Sequence, residues 1–125
     1  AGCSAGDRND ACAALFQQVP AMERWIDARA SEALRFAVLG DFNRRLVMPG
    51  DALWAEWDDG VPANADLARA SSDRSARCNP RYKDFIDYIV LDRRAAAGQL
   101  DFDEKTFAAE PLSDHCAVTT RLRLQ

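Results

Sequence analysis

The chain has 125 residues, of which 48% are hydrophobic and 29% charged, which fits one globular domain and excludes a disordered or fibrous protein. Its formal charge of −4 argues against binding nucleic acid through bulk electrostatics, because such domains are usually strongly basic. No apolar run approaches the ~20 residues needed to cross a bilayer, so we expect no membrane span. The chain starts at Ala1, without Met or a basic-then-apolar leader, and we expect a mature, processed or truncated product.

The first predicted element is a helix that begins at Asp10. Apolar residues recur along it at steps of four and three, as on the buried face of a helix: Leu15, Val19, Met22 and Ile26. Pro20 lacks a backbone donor, so we expect either a kink or two abutting helices. The predicted role of this segment is scaffolding.

The four cysteines form an even set without a Cys-x-x-Cys pair, which disfavours structural zinc and favours disulfides. Cys3 and Cys12 bracket a short polar loop, and we predict a bridge between them. Cys78 and Cys116 either form a second bridge or stay as buried thiols. One bridge is enough to imply an oxidising compartment, so we expect a periplasmic or secreted protein.

Three segments have the patterns of strands. Residues 36–39 are apolar on both alternating faces and end at Gly40, which predicts a central strand covered on both sides. Residues 86–91 are apolar apart from Asp87 and predict a second buried strand. Residues 116–124 alternate between apolar and polar positions, as in a half-exposed strand.

Between the first two strands, Asp51 is predicted to cap a short helix whose Leu53, Trp54 and Trp57 pack in the core. Residues 58–81 read as a loop, and loops beside strand ends commonly select the substrate. Cations cluster between the two acid-bearing strands and could grip phosphates, although a solvated loop explains each of them equally well: Arg44, Arg45, Arg69, Arg74, Arg77, Arg81 and Lys83.

Two pairs of residues carry the predicted chemistry. Asp87 lies on the interior face of its strand and needs a partner, and the single histidine, His115, is the candidate. Such a carboxylate orients the imidazole and raises its proton affinity, so the other ring nitrogen can hold a phosphate oxygen.

Asp41 and Asn43 lie just past a buried strand, two residues apart, so both side chains can reach one small site. The carboxylate can take a proton from water and the amide can orient the water and a phosphate, whereas the structural alternative is an Asx turn. Asp114 adds an oxygen ligand suited to Mg²⁺.

The motifs Gly40-Asp41-Phe42-Asn43, Ile86-Asp87-Tyr88-Ile89 and Ser113-Asp114-His115 resemble the carboxyl-terminal motifs of the deoxyribonuclease I-like endonuclease/exonuclease/phosphatase family. The resemblance implies an α/β (α+β) fold, specifically half of a four-layer αββα sandwich. It implies catalytic roles for Asp41, Asn43, Asp87 and His115, and a site for Mg²⁺, or Mn²⁺ or Ca²⁺, at Asp114 and Asp41.

The amino-terminal half of that family normally supplies an Asn, a metal-ligating Glu and a further His or Tyr, and this chain has no matching segments. We therefore interpret residues 1–125 as the carboxyl-terminal portion of one such domain. Half a sandwich exposes a sheet face and strand edges, so we expect the chain to need the missing half, a second chain or self-association.

The predicted function is a divalent-metal-dependent hydrolase of phosphate esters, with a nuclease acting on DNA or RNA as the first substrate class. Arg44 and Arg45 are predicted to bind substrate phosphate, since they follow Asn43 directly. The isolated chain is expected to be weak or inactive. The alternatives are a lipid phosphodiesterase or sugar-phosphate phosphatase using the same site, and a non-catalytic binding module of the same fold.

Overall fold

The computed structural model of the chain describes residues 3, 6, 8–32, 34–63 and 65–124. These residues form, in chain order, α1 (Asp10–Ser31), β1 (Ala37–Asp41), α2 (Ala52–Trp57), β2 (Leu67–Arg69), β3 (Asp87–Asp92), α3 (Arg93–Ala97), β4 (Gln99–Lys105) and β5 (Ala117–Leu122). The result is a mixed α/β fold with small antiparallel sheets, which is compatible with the α+β class. The four-layer sandwich stays a prediction.

One sheet has three strands in the order β1-β3-β2, and both of its pairings are antiparallel. Its central strand is β3, whose Val90 and Leu91 are fully buried. The predicted buried strand over residues 86–91 is therefore confirmed. The second sheet pairs β4 with β5 in antiparallel fashion, and the predicted alternation of β5 is confirmed by its alternating exposure.

The prediction that the first strand is central and covered on both sides is wrong. In the described part of the chain β1 is an edge strand, paired on one side with β3. Leu39 is 69% exposed, while Ala37 and Val38 are half-buried. An apolar run shows that a segment avoids polar residues, but it does not show that both faces are covered.

Helix α1 runs without interruption from Asp10 to Ser31, with Pro20 inside it, so the alternative of two abutting helices is wrong. Only one intrahelical hydrogen bond depends on the donor that Pro20 lacks. Val19 and Ile26 on the predicted face are buried, and Leu15 and Met22 pack against the same core. This packing of an apolar face provides most of the stabilisation that holds a helix in place.

Asp51 caps α2 as predicted, since its carboxylate accepts a hydrogen bond of 2.9 Å from the Trp54 amide. Leu53 and Trp57 are buried in the core, and Trp54 packs against it. Residues 58–81 are mostly loop, but they contain the short strand β2, which was not predicted. Helix α3 and strand β4 were not predicted either.

Two disulfides cross-link the chain, one joining Cys3 to Cys12 and the other Cys78 to Cys116. The first bridge was predicted, and the second resolves the alternative left open for the other two cysteines. Within the described ranges, no helix combines the length and apolarity needed to cross a membrane.

Candidate phosphate and metal site

Two carboxylates face each other across the β1–β3 pairing. Asp41 is the last residue of β1 and Asp87 the first of β3, and the antiparallel register makes them direct partners. Like charges placed directly opposite each other destabilise a sheet. The pair therefore creates a local demand for positive charge.

His115 meets part of that demand. Its Nδ1 lies 2.8 Å from Oδ2 of Asp87, with 38% of the His115 side chain and 26% of the Asp87 side chain exposed. The hydrogen bond that His115 donates to Asp87 and the negative charge of Asp87 raise the pKa of His115, with smaller contributions from Asp41 and Asp114, while desolvation opposes the shift. The 2.8 Å contact confirms the predicted pairing of Asp87 with His115. It also leaves Nε2 as the ring nitrogen that can contact a ligand.

Asp41 and Asn43 form a local turn at the same strand end. Oδ1 of Asp41 accepts a hydrogen bond of 2.7 Å from the Asn43 amide, which is the Asx turn considered as the structural alternative. Asn43 has a φ of +48°, in the left-handed region that Asn tolerates better than most residues. Both side chains are exposed, so the turn presents the second carboxylate oxygen of Asp41 and the amide of Asn43 to solvent.

Three side chains here could share a cation. Donor atoms of Asp41, Asp87 and His115 all lie within 4.8 Å of one another. Asp114 was predicted as a metal ligand but lies outside this group, although it lines the same cleft. A second cluster of Cys78, Glu104 and Cys116 has comparable spacing, but its two sulfurs are joined in a disulfide and are not thiolates.

A cleft of about 740 Å³ opens beside these groups. Its lining includes Asp87, His115 and residues of the 78–85 segment. Asn43 and Arg45 also line it. A cleft of this size accommodates a small organic phosphate or part of a larger chain.

The two arginines predicted to bind substrate phosphate differ in environment. Arg44 is 9% exposed, its Nε donates to Oδ2 of Asp51 at 2.6 Å, and its Nη1 donates to the Cys3 carbonyl at 2.8 Å. These bonds fix Arg44 as a link between the amino-terminal segment and α2, so the structure does not support a phosphate-binding role for it. Arg45 is exposed and lies 3.5 Å from Asp84, a loose pairing that a phosphate could replace.

A buried acid whose role was not predicted from the sequence holds one wall of the cleft in place. Glu104 of β4 is buried, and its carboxylate accepts hydrogen bonds from the Arg77 amide at 2.7 Å and the Cys78 amide at 3.2 Å. Cys78 is bridged to Cys116, the residue that follows His115. The adjacency of His115 and Cys116 was visible in the sequence, but the Glu104 carboxylate contacts amides 26 and 27 residues away in the chain, which no local pattern indicates.

Comparison of the sequence with protein-family models and with curated proteins finds no match. The resemblance given above therefore depends on the three motifs alone.

Proposed function

We propose that this chain carries part of the active site of a divalent-metal-dependent phosphoric ester hydrolase, a phosphodiesterase of the nuclease type. The observation that carries the proposal is the 2.8 Å contact between His115 and Asp87, with Asp41 directly across the strand pair. A histidine held this way by a carboxylate is suited to stabilise charge on a phosphate oxygen.

Four side chains have roles in the proposed reaction. His115 holds a phosphate oxygen through Nε2, and Asp87 keeps the ring oriented and favours its protonated form. The Asn43 amide orients the attacking water against the phosphorus, and Asp41 takes a proton from that water as its oxygen bonds to phosphorus. The ester P–O bond breaks, and the leaving oxygen takes a proton from solvent. Asp41 is suited to take the proton because one oxygen is used in the turn while the other is available.

The residues present fit a weak site for an oxygen-preferring cation. Asp41 and Asp87 offer two carboxylates, and Mg²⁺ commonly takes one or two protein carboxylates and completes its shell with water and substrate phosphate. When bound, such a cation supplies positive charge beside the phosphate oxygens. Asp114, at the edge of the same cleft, would act on it through charge at longer range.

The proposed site is incomplete in this chain alone. At this site, the described residues that could share a cation are Asp41, Asp87 and His115. Strand β1 ends at Asp41 on a sheet edge, and Leu39 in this strand is exposed. We infer that an amino-terminal half of the domain or a second chain supplies further ligands, and we expect weak or absent turnover without them. The disulfides fit a periplasmic or secreted location for the assembled protein.

The test uses the single histidine as a spectroscopic probe, so that it does not depend on turnover. Ring signals of His115 are followed by NMR while dimethyl phosphate and, separately, Mn²⁺ are added. The proposal expects a shift with the phosphate diester and paramagnetic broadening with Mn²⁺. Asp41→Asn should reduce the broadening, whereas the matched control Asp66→Asn removes an exposed acid that does not line the cleft and should not.

Hydrolysis is measured on the same samples with plasmid DNA and bis(p-nitrophenyl) phosphate in Mg²⁺. Any activity above background must disappear in His115→Ala and persist in the control variant. A His115 signal that responds to neither ligand refutes the proposed site, even if the preparation cleaves DNA. A response to phosphate without Mn²⁺ broadening favours a non-catalytic phosphate-binding module instead.

A further inference from the structure

The segment at residues 76–83, called here the anchored loop, is unusually constrained for a loop next to a candidate site. Its two ends are joined by a hydrogen bond of 2.7 Å from the Ala76 amide to the Lys83 carbonyl. At its tip, the Asn79 side chain accepts from the Arg81 amide at 2.9 Å, and the Asn79 carbonyl accepts from the Tyr82 amide at 3.0 Å. The loop thus holds a defined shape before any ligand arrives.

Two tertiary links fasten this loop to the rest of the fold. Cys78 is bonded covalently to Cys116, beside His115, and the buried Glu104 carboxylate binds the amides of Arg77 and Cys78. Preorganisation of this kind lowers the entropy lost when a loop binds a partner. The loop is consequently positioned to act as a binding surface.

The structure divides the cations near the cleft into three groups. One group bonds to other parts of the fold: Arg44 to Asp51, Arg69 above the Trp54 ring, Arg74 to the Phe102 carbonyl and Arg77 to Glu104. A second group is Arg45, which lines the cleft and pairs loosely with Asp84 at 3.5 Å. The third group is Arg81 and Lys83, which form no ion pair with any residue in the described part of the chain and line the cleft. These two cations remain for an external anion.

Tyr82 stands between these two cations in sequence, is 62% exposed and lines the same cleft. An exposed aromatic ring flanked by cations combines a stacking surface with phosphate contacts, which is the chemistry used to bind single-stranded nucleic acid. The net charge of −4 provides no general attraction for a polyanion. A local, preorganised contact is therefore the means by which this chain could hold one.

We propose that the anchored loop binds single-stranded nucleic acid, with Tyr82 stacking on a base and with Arg81 and Lys83 contacting the phosphates beside the one held at His115. The inference deepens the proposed function and rests on it for the position of the central phosphate. A single strand is favoured over a duplex because Tyr82 can stack only on a base that is free of its neighbours. A sugar monophosphate has no second phosphate for the two cations to hold.

The test measures fluorescence anisotropy of a labelled oligothymidylate in chelator, so that no strand is cut. Tyr82→Ala is expected to weaken binding about 5- to 150-fold, the range given by loss of one base–aromatic stack. Tyr82→Phe should restore most of the affinity. In the double variant Arg81→Ala/Lys83→Ala, the slope of log affinity against log salt concentration should become shallower by about 1.4, because two single-strand phosphate contacts are lost. Arg121→Ala, an exposed cation on β5 outside the cleft, is the matched control.

Equal affinities of the wild type and Tyr82→Ala, or no oligonucleotide binding at all, would overturn the inference. Tyr82-dependent binding to anionic phospholipid vesicles in place of the oligonucleotide would overturn it in favour of a lipid substrate. The two proposals can fail separately. Binding that depends on Tyr82 but leaves His115 insensitive to dimethyl phosphate supports the loop and refutes the hydrolytic site, and the converse pattern refutes only the loop.

Discussion

Removal of the Cys78–Cys116 disulfide should both destabilise the fold and loosen the candidate site. The bridge joins the anchored loop to the residue that follows His115, and both of its cysteines line the cleft. The perturbation is the double variant Cys78→Ala/Cys116→Ala. Its matched control is Cys3→Ala/Cys12→Ala, which removes the other bridge, whose cysteines do not line the cleft.

The magnitude follows from loop-closure entropy, because a cross-link restricts the unfolded chain more when it spans more residues. A separation of 38 residues gives about 3.9 kcal/mol for Cys78–Cys116. A separation of 9 residues gives about 2.6 kcal/mol for Cys3–Cys12. The site variant should therefore lose about 1.3 kcal/mol more unfolding free energy than the control.

Two measurements check this expectation. Urea denaturation gives the unfolding free energies, and an NMR pH titration of the single histidine gives the pKa of His115. Hydrogen bonding and charge from Asp87 raise that pKa, so loosening the segment should lower it toward its ordinary value. The control variant should keep the raised pKa.

The reasoning is refuted if the control variant loses as much stability as the site variant, since loop length would then not govern the effect. It is also refuted if the site variant keeps the full pKa shift of His115. That second result would mean that β5 and the 113–115 turn position the imidazole without help from the bridge.

Three further predictions concern single residues. Asp87→Asn should lower the pKa of His115 toward its ordinary value. Because that pKa is raised in the folded protein, the Asp87–His115 pair stabilises the fold fully below about pH 6.5 and less as the pH rises through the pKa of His115 in the folded state. Denaturation of the wild type and the variant at acidic and alkaline pH checks this. Burial first, then neighbouring carboxylates, raises the pKa of Glu23 to about 7, so Glu23→Gln should stabilise the fold above about pH 7 and not below about 4.5; equal effects at both pH values would contradict it. Asp51→Ala should cost about 3–5 kcal/mol of unfolding free energy, because it removes a helix cap and leaves the buried Arg44 unpaired; a loss below about 1 kcal/mol would show that Arg44 finds another partner.

The elements predicted from the sequence are those whose signal is local. The apolar face of α1, the cap at Asp51 and the apolar run of β3 each lie within one short segment, and each is confirmed. The position of β1 at the sheet edge is set by which strands pair, and its apolar run carries no record of that. Strand β4 was missed because it mixes acids with Leu100 and Phe102, and its alternation stands out only beside β5.

The candidate site divides in the same way. Asp41, Asp87 and His115 were predicted to act together, and the structure brings their donor atoms within 4.8 Å of one another. The roles of the cations could not be predicted, because their partners are distant in sequence. Arg74, for example, donates to the Phe102 carbonyl, 28 residues away, so its guanidinium is bonded to strand β4.

The two parts of the proposed site, the anchored loop and the Asp87–His115 pair, can be tested separately, although the Cys78–Cys116 disulfide joins them. Binding by the anchored loop depends on Tyr82, and the protonation of His115 depends on Asp87, whereas the bridge supports both. Tyr82→Ala should therefore change oligonucleotide affinity without moving the pKa of His115, whereas Asp87→Asn should lower the pKa of His115 and leave the remaining affinity dependent on Tyr82. Loss of the bridge should change both properties together. Independent changes in the bridge variant would mean that the loop and the imidazole are positioned by separate parts of the fold, and the anchored loop would then be a neighbour of the site and not a component of it.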